Sequence, residues 1–180
     1  MSNNPLTGLT EWNSFAHSSV YFLQGTSDEH LSLLEHLSPV HDRLSAVIVT
    51  TPQAVALMDT MKSLSFTRAV KLPVLGIVEN MSGYVCPCCG EISNVFSTGG
   101  GEEMARREGV PFLGALPVDT ELVSLLDAAE IAPSELPEVE LHGFGLIRRY
   151  EETPSGKLFK KVLDTLLDTL LATERRISSN

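Results

Sequence analysis

A short apolar run, residues 74–78, places the strongest constraint on the fold of this chain. The run is brief and rich in aliphatic and β-branched residues, which is typical of a strand buried on both faces of a parallel sheet. Polar residues, beginning with Glu79 and Asn80, end it. Because α/β proteins bind ligands outside the carboxyl ends of such strands, we predict that the loop after Glu79 lines a functional site.

All three cysteines of the chain lie in that loop, in the sequence C-P-C-C-G. Cys86 and Cys89 form a C-x-x-C, in which a turn allows two sulfurs to face one metal while backbone amides donate to them. Cys88 lies between them and is predicted to point elsewhere. Zinc and iron–sulfur clusters usually take four protein ligands, and there is no second C-x-x-C. The simplest completion is a two-fold dimer in which each chain contributes Cys86 and Cys89.

The spacing alone leaves other interpretations of the cysteines open. A redox dithiol, a half-built zinc knuckle and plain buried thiols all fit a lone C-x-x-C. An odd, clustered set of cysteines does suit a reducing compartment better than a disulfide framework.

Three stretches around and after the cysteines resemble a known family. They are V-L-G-I-V-E-N-M-S-G-Y-V-C-P-C-C-G, then G-G-G-E-E-M-A, then V-P-F-L-G-A-L-P-V-D. They are similar to the Mrp/ApbC branch of the MinD-type deviant-Walker P-loop ATPases, and within it to the smaller subunit of the eukaryotic cytosolic iron–sulfur scaffold. The resemblance extends from Gly25 to about Asp127, and more weakly over residues 153–171. It implies a three-layer α/β fold with a mainly parallel sheet, as the C-terminal part of a P-loop NTPase domain.

The resemblance also implies a function and its residues. The chain would be a scaffold that assembles a [4Fe–4S] cluster and transfers it to cytosolic and nuclear apoproteins. Cys86 and Cys89 would be the metal ligands, with the cluster bridged to a second copy or to the larger scaffold ATPase subunit. Asn80, Pro117 and Asp119 would flank the base of a bound nucleotide, ATP in this family. Without the resemblance, Asn80 and Pro117 are better explained as residues that end a strand and turn the chain.

Two departures from the family pattern concern the phosphate end of that nucleotide. The phosphate-binding motif G-x-x-x-x-G-K-[ST] does not occur in the 180 residues. Tyr21 stands where the family has an aspartate that helps to hold magnesium, and an aromatic ring cannot do so. The glycines at 99–101 are not a substitute, because Glu102 and Glu103 follow them and would repel phosphate.

We therefore expect the carboxyl-terminal half of a scaffold ATPase, produced either by an incomplete gene model or by a real loss, and no ATP hydrolysis by this chain alone. Two other classes of function stay open at this point. One is a zinc-bridged interaction module that uses the same cysteines. The other is a nucleotide-dependent switch ATPase, which would require a P-loop half upstream.

The bulk properties exclude several partners. A net charge of −10 and a pI of about 4.9 argue against nucleic acid and anionic membranes, which bind basic surfaces. No stretch approaches the ~20 apolar residues of a membrane span, and the first residues are unlike a secretory signal. We expect a cytoplasmic protein.

The local patterns predict the order of the elements. Residues 1–18 are expected to be poorly ordered, 19–172 to form the α/β domain, 131–150 to be an inserted loop and 173–180 a tail. A helix capped by Thr51, with Met58 and Met61 in the core, is predicted between two strands. The remaining predictions are strands at 19–23, 46–49, 74–78 and 110–116, and helices at 26–37, 102–108 and 120–129, with an amphipathic closing helix around 159–170.

Overall fold

The computed structural model describes residues 27–86, 88–93, 98–131 and 144–178. The chain divides into two compact units, residues 1–39 and 40–180. In the first unit the structure describes helix α1 (Ser27–His36), close to its predicted bounds. The predicted disorder at 1–18 and the predicted strand at 19–23 lie outside the described residues. A short 3-10 helix (Ser38–Arg43) follows α1.

The second unit is built on a parallel sheet of three strands, β1 (Ala46–Thr50), β2 (Val74–Glu79) and β5 (Phe112–Ala115). Their order is β1-β2-β5, with β2 in the centre, and both pairings are parallel. Two shorter strands, β3 (Tyr84–Val85) and β4 (Ile92–Ser93), form a separate antiparallel pair. The prediction of parallel strands at these three positions is confirmed. The prediction that β1 is a buried strand is wrong, because Val47 and Val49 are exposed.

Helices cover both faces of the sheet, as the alternation of strands and helices predicts. On one face, Ile48 and Ile77 pack against Leu64 of α2 (Ala54–Ala69) and Met104 of α3 (Gly100–Glu108). On the other, Val78 and Leu113 pack against Val162 of the long helix α6 (Pro154–Ser178). The bounds of the last three helices are α4 (Thr120–Ile131), α5 (Phe144–Glu152) and α6 (Pro154–Ser178). The fold is therefore three-layer α/β, which confirms the predicted class.

The start of α2 differs from the prediction. Gln53, not Thr51, is the N-cap residue, and its side chain makes no capping hydrogen bond. The backbone of Gln53 is extended, at φ −73° and ψ 138°, so the helix begins only at Ala54. The hydroxyl of Thr51 is buried without a hydrogen-bond partner among the described residues. Thr51 is therefore not the cap that its position before Pro52 suggested.

The two methionines of α2 were predicted to be core residues, and this is wrong. Met58 is 64% exposed, whereas Leu64 on the same helix is 1% exposed. The buried face of α2 includes Thr60, whose hydroxyl donates to the carbonyl oxygen of Ala56 at 2.8 Å. A threonine whose hydroxyl is satisfied in this way can be buried at little cost, and the helix is rotated so that the methionines face outwards.

The prediction of an inserted loop at 131–150 is wrong at both ends of the loop, which are the parts of it that the structure describes. Helix α4 extends to Ile131, and residues 144–150 belong to α5. An aromatic contact between Tyr150 of α5 and Phe159 of α6, with ring centroids 6.2 Å apart, packs these helices together. Helix α6 runs on to Ser178, through most of the predicted tail, because no proline or glycine interrupts it after Gly156.

Helix α6 packs on the sheet as its amphipathic pattern predicts, through Val162 and Leu166. Phe159, Leu163 and Leu167 of the same pattern stay partly exposed. None of the helices in the part of the chain that the structure describes is long and apolar enough to cross a bilayer.

Within the part of the chain that the structure describes, one face of strand β1 is left largely exposed. Val49 lies opposite Val78 in the register, and Val78 packs under α6, yet Val49 is 56% exposed and Val47 is 39% exposed. Exposed apolar strands favour association. We expect the isolated chain to form oligomers at high concentration and a Val47→Thr, Val49→Thr variant to form fewer of them.

Light scattering over a concentration series measures this effect. Val55→Thr, a change at a 73% exposed valine of α2, is the matched control and should leave the distribution of sizes unchanged. A wild-type chain that stays monomeric at every concentration would contradict the expectation.

Candidate metal centre

The cysteines lie at the tip of the hairpin formed by β3 and β4. Tyr84 pairs with Ser93, and Val85 with Ile92. Beyond the strands the hairpin is closed by two backbone hydrogen bonds: the Cys86 amide donates to the Glu91 carbonyl at 2.9 Å, and the Gly90 amide donates to the Cys86 carbonyl at 2.8 Å. The C-x-x-C is therefore held in a closed turn, as metal-binding knuckles require.

The sulfur of Cys86 is the acceptor within this turn. The backbone amides of Cys88 and then Cys89 donate to it, followed by the Cys89 side chain, and these contacts hold the pKa of the Cys86 thiol below its usual value. Hydrogen bonds to the thiolate favour the charged form, which is the form that binds metals. Cys86 is half-buried, Cys88 and Cys89 are exposed, and all three are free thiols.

The prediction that Cys88 points elsewhere stays a prediction. Of the interactions with Cys88 and Cys89 that lower the Cys86 pKa, the one with the Cys88 side chain is the smallest. Cys88 and Cys89 both lie close enough to Cys86 to lower its pKa. Even so, no group of three Cys, His, Asp or Glu side chains within the described ranges is placed to hold one metal ion. Among the described residues, therefore, a full set of four metal ligands is not present at any one point.

The hairpin is attached to the loop that follows β5. The Val85 amide donates to the Val118 carbonyl at 3.0 Å, and the Val118 amide donates to the Gly83 carbonyl at 2.8 Å. Tyr84 and Val118 form an isolated parallel bridge. The cysteine turn is thus fixed directly to residues 117–119, which the resemblance assigns to nucleotide binding.

The structure brings Asn80, Pro117 and Asp119 to the same edge of the sheet, beyond the carboxyl ends of β2 and β5. The Leu116 amide donates to the Glu79 carbonyl at 2.8 Å, which places Pro117 beside Asn80. The Asn80 side-chain oxygen accepts from the Met81 amide at 2.9 Å, a local turn contact. Pro117 is buried.

Asp119 has a structural role that the sequence pattern did not reveal. One carboxylate oxygen accepts from the backbone amides of Glu121, at 2.8 Å, and Leu122, at 3.4 Å, which caps helix α4. The other oxygen accepts from the hydroxyl of Ser155 at the start of α6. The cap could have been recognised from an aspartate just before a helical pattern, but the contact with Ser155 joins residues far apart in the chain.

Glu79 is the second residue that sequence reasoning left without a role. It is 1% exposed, and its carboxylate accepts from the amides of Gly99 at 3.1 Å and Gly101 at 2.5 Å. These amides lie at the start of α3, where Gly99 takes a φ of +80°. The carboxylate occupies the position that an anion would take at a helix N-terminus. This agrees with the prediction that the glycines do not form a phosphate loop.

Residues 7–143 match the family described as ParA, with the description NUBPL iron-transfer P-loop NTPase. The match covers more than half of the chain. This protein belongs to the ParA family of P-loop NTPases. The confirmed three-layer fold is consistent with that membership.

Relatives of this ParA-family chain carry names that refer to iron–sulfur assembly. The cytosolic Fe-S cluster assembly factor CFD1 of Mycosarcoma maydis is 50% identical over 123 residues, which are 68% of this chain and 34% of the relative. The cytosolic Fe-S cluster assembly factor NUBP2 of Bos taurus is 49% identical over 127 residues, 71% of this chain and 46% of the relative.

A solved structure is also similar. The ADP complex of a nucleotide-binding protein from Archaeoglobus fulgidus is 33% identical, with a TM-score of 0.47, and the match covers 62% of this chain and 44% of that one. The chain thus spans less than half of the length of each of these three proteins.

Proposed function

We propose that this chain takes part in iron–sulfur cluster assembly in the cytosol, as a scaffold on which Cys86 and Cys89 hold a [4Fe–4S] cluster. The observation that supports this most directly is the closed cysteine turn, in which backbone amides donate to the Cys86 sulfur. Two relatives that share about half of their aligned residues with the chain bear the name of cytosolic Fe-S cluster assembly factors. The cluster in this proposal is cargo that the protein carries.

The incomplete ligand set explains how such a cluster would be both held and released. Each chain supplies the thiolates of Cys86 and Cys89, and a second chain supplies the other two ligands. That chain is a second copy or the larger scaffold ATPase subunit. A cluster held across an interface loses half of its ligands when the interface opens, which allows transfer to cytosolic and nuclear apoproteins.

A nucleotide site next to the cysteine turn is the second part of the proposal. Asn80 and Pro117 lie side by side at the sheet edge, and Val118 is hydrogen-bonded to the hairpin strand β3. We assign these residues to the base of ATP, where an amide and backbone groups can pair with adenine. Both carboxylate oxygens of Asp119 are engaged within the protein, so its part is to fix this loop.

Anaerobic reconstitution of the purified chain tests the cluster assignment. Incubation with iron and sulfide should produce the broad visible absorption of thiolate-bound iron–sulfur, together with equal amounts of iron and acid-labile sulfide. Incubation with zinc provides the comparison, because a zinc-bridged interaction module would use the same cysteines and remain colourless. Zinc uptake without any iron–sulfur absorption would contradict the scaffold function and support a zinc-bridged interaction module.

A further inference from the structure

Glu79 is a buried carboxylate for which neither the metal site nor the nucleotide site has a use. It is the last residue of the central strand β2 and is 1% exposed. A buried carboxylate is costly unless hydrogen bonds satisfy it, so its partners indicate what it does. Those partners are the hydroxyl of Ser82 and the backbone amides of Gly99 and Gly101.

The partners lie on both sides of the segment that contains the cysteine hairpin. That segment leaves the sheet after Glu79 and returns at α3. One oxygen of Glu79 accepts from Ser82, on the outgoing side, at 2.6 Å and from Gly99, on the returning side, at 3.1 Å. The other oxygen accepts from Gly101 in the first turn of α3 at 2.5 Å. A single carboxylate thus joins the two ends of the segment.

The outgoing side has further attachments, because the Val85 amide donates to the Val118 carbonyl and the Val118 amide donates to the Gly83 carbonyl. On the returning side, Glu79 holds the first residues of α3. Its negative charge also lies at the positive end of that helix, which strengthens the contacts with Gly99 and Gly101. Space there is limited: a Cβ added to Gly101 would lie 3.0 Å from a Glu79 carboxylate oxygen.

We propose that Glu79 is a positioning residue for the cysteine pair. Its carboxylate fixes both ends of the segment and thereby keeps the hairpin, with Cys86 and Cys89, in one place relative to the sheet. The link to cluster binding rests on the function proposed above, whereas the effect on the hairpin does not depend on any metal. Glu79 acts through the backbone and does not itself contact the cargo.

Glu79→Gln is the informative change, because it keeps the shape of the side chain. The amide oxygen of the glutamine can still accept from Ser82 and Gly99. The NH2 group of the glutamine, however, faces the backbone amide of Gly101, and two hydrogen-bond donors cannot pair. Ser82→Ala removes only the outgoing contact and serves as a second variant, with Ser82→Thr as its conservative rescue. Glu102→Gln, at an exposed position in the same first turn of α3, makes the same chemical change where the described residues show no such contact, and it is the matched control.

Hydrogen exchange of backbone amides in the metal-free chain distinguishes a local loosening of the hairpin from a general loss of stability. We expect exchange at Val85, Cys86 and Gly90 to rise roughly tenfold or more in Glu79→Gln, because a charged hydrogen-bond acceptor is lost. The rise should be smaller in Ser82→Ala and absent in Ser82→Thr and Glu102→Gln. The Ile77 amide, bonded to the Pro111 carbonyl within the sheet, should exchange as in the wild type.

Iron uptake after reconstitution is measured on the same variants and should fall in Glu79→Gln. Hairpin exchange that stays at the wild-type rate in both Glu79→Gln and Ser82→Ala overturns the proposal, and so does a rise that is equal at Ile77. If the wild type takes up no iron but its hairpin loosens in Glu79→Gln, the scaffold function is wrong and the positioning role of Glu79 stands. If Glu79→Gln does not fold, the comparison of Ser82→Ala with Ser82→Thr decides.

Discussion

Replacing either Cys86 or Cys89 by alanine is expected to abolish iron binding by the reconstituted protein. If two chains each lend two thiolates to a cluster, one substitution removes two of its four ligands in a homodimer. Cys88→Ala should keep most of the iron, because it removes an exposed thiol that makes the weakest contact with the Cys86 sulfur. Iron and acid-labile sulfide per chain are the quantities to measure.

Cys88→Ala is also the control for the cysteine variants, since it changes the same turn and leaves the C-x-x-C in place. Thermal unfolding of the metal-free variants should show equal stability, which separates lost ligands from lost fold. Loss of iron in Cys88→Ala as complete as in Cys86→Ala would show that all three cysteines bind metal. Retention of iron in Cys89→Ala would show that the C-x-x-C is not the metal site.

The second large effect is expected at Asp119. Asp119→Ala should lower the free energy of unfolding by about 1–3 kcal/mol, because it removes the cap of α4 and the acceptor of the buried Ser155 hydroxyl. Asp119→Asn should cost less, since an asparagine oxygen still caps a helix. Chemical denaturation of the metal-free and nucleotide-free chain measures both changes.

Asp127→Ala, on an exposed part of the same helix, is the matched control and should leave stability within about 0.5 kcal/mol of the wild type. If Asp119→Ala unfolds at the wild-type denaturant concentration but loses nucleotide binding, Asp119 contacts the nucleotide directly. The helix cap then contributes nothing measurable to the free energy of unfolding.

The parts of the fold that follow from local patterns were predictable. The three strands of the sheet are short apolar runs, which predict strands of a parallel sheet. Only the central strand β2 is buried on both faces, as such a run leads one to expect. Gly109 ends α3 with a φ of +68°, a conformation that glycine adopts without strain, and the sequence placed the helix end there. The cysteine turn was equally evident, because spacing and turn residues are local features.

The parts that depend on distant residues were not predictable. The amides that Glu79 accepts from lie 20 and 22 residues further along the chain, and no local pattern connects them. The same holds for Asp119 and Ser155, which are 36 residues apart. Met58 and Met61 fit an apolar stripe at helical spacing, but the position of α2 over the sheet decided which face was buried. A period of apolar residues identifies a helix and leaves its rotation to the tertiary packing.

In the proposed scaffold, Cys86 and Cys89 of two chains hold one cluster between them. Iron and sulfide content, measured on the anaerobically reconstituted protein together with its mass by light scattering, tests this most directly. We expect about four iron and four sulfide per two chains, all in a species of at least dimer mass, and a shift to smaller species when a chelator removes the iron. A full cluster on a strictly monomeric chain would contradict the claim.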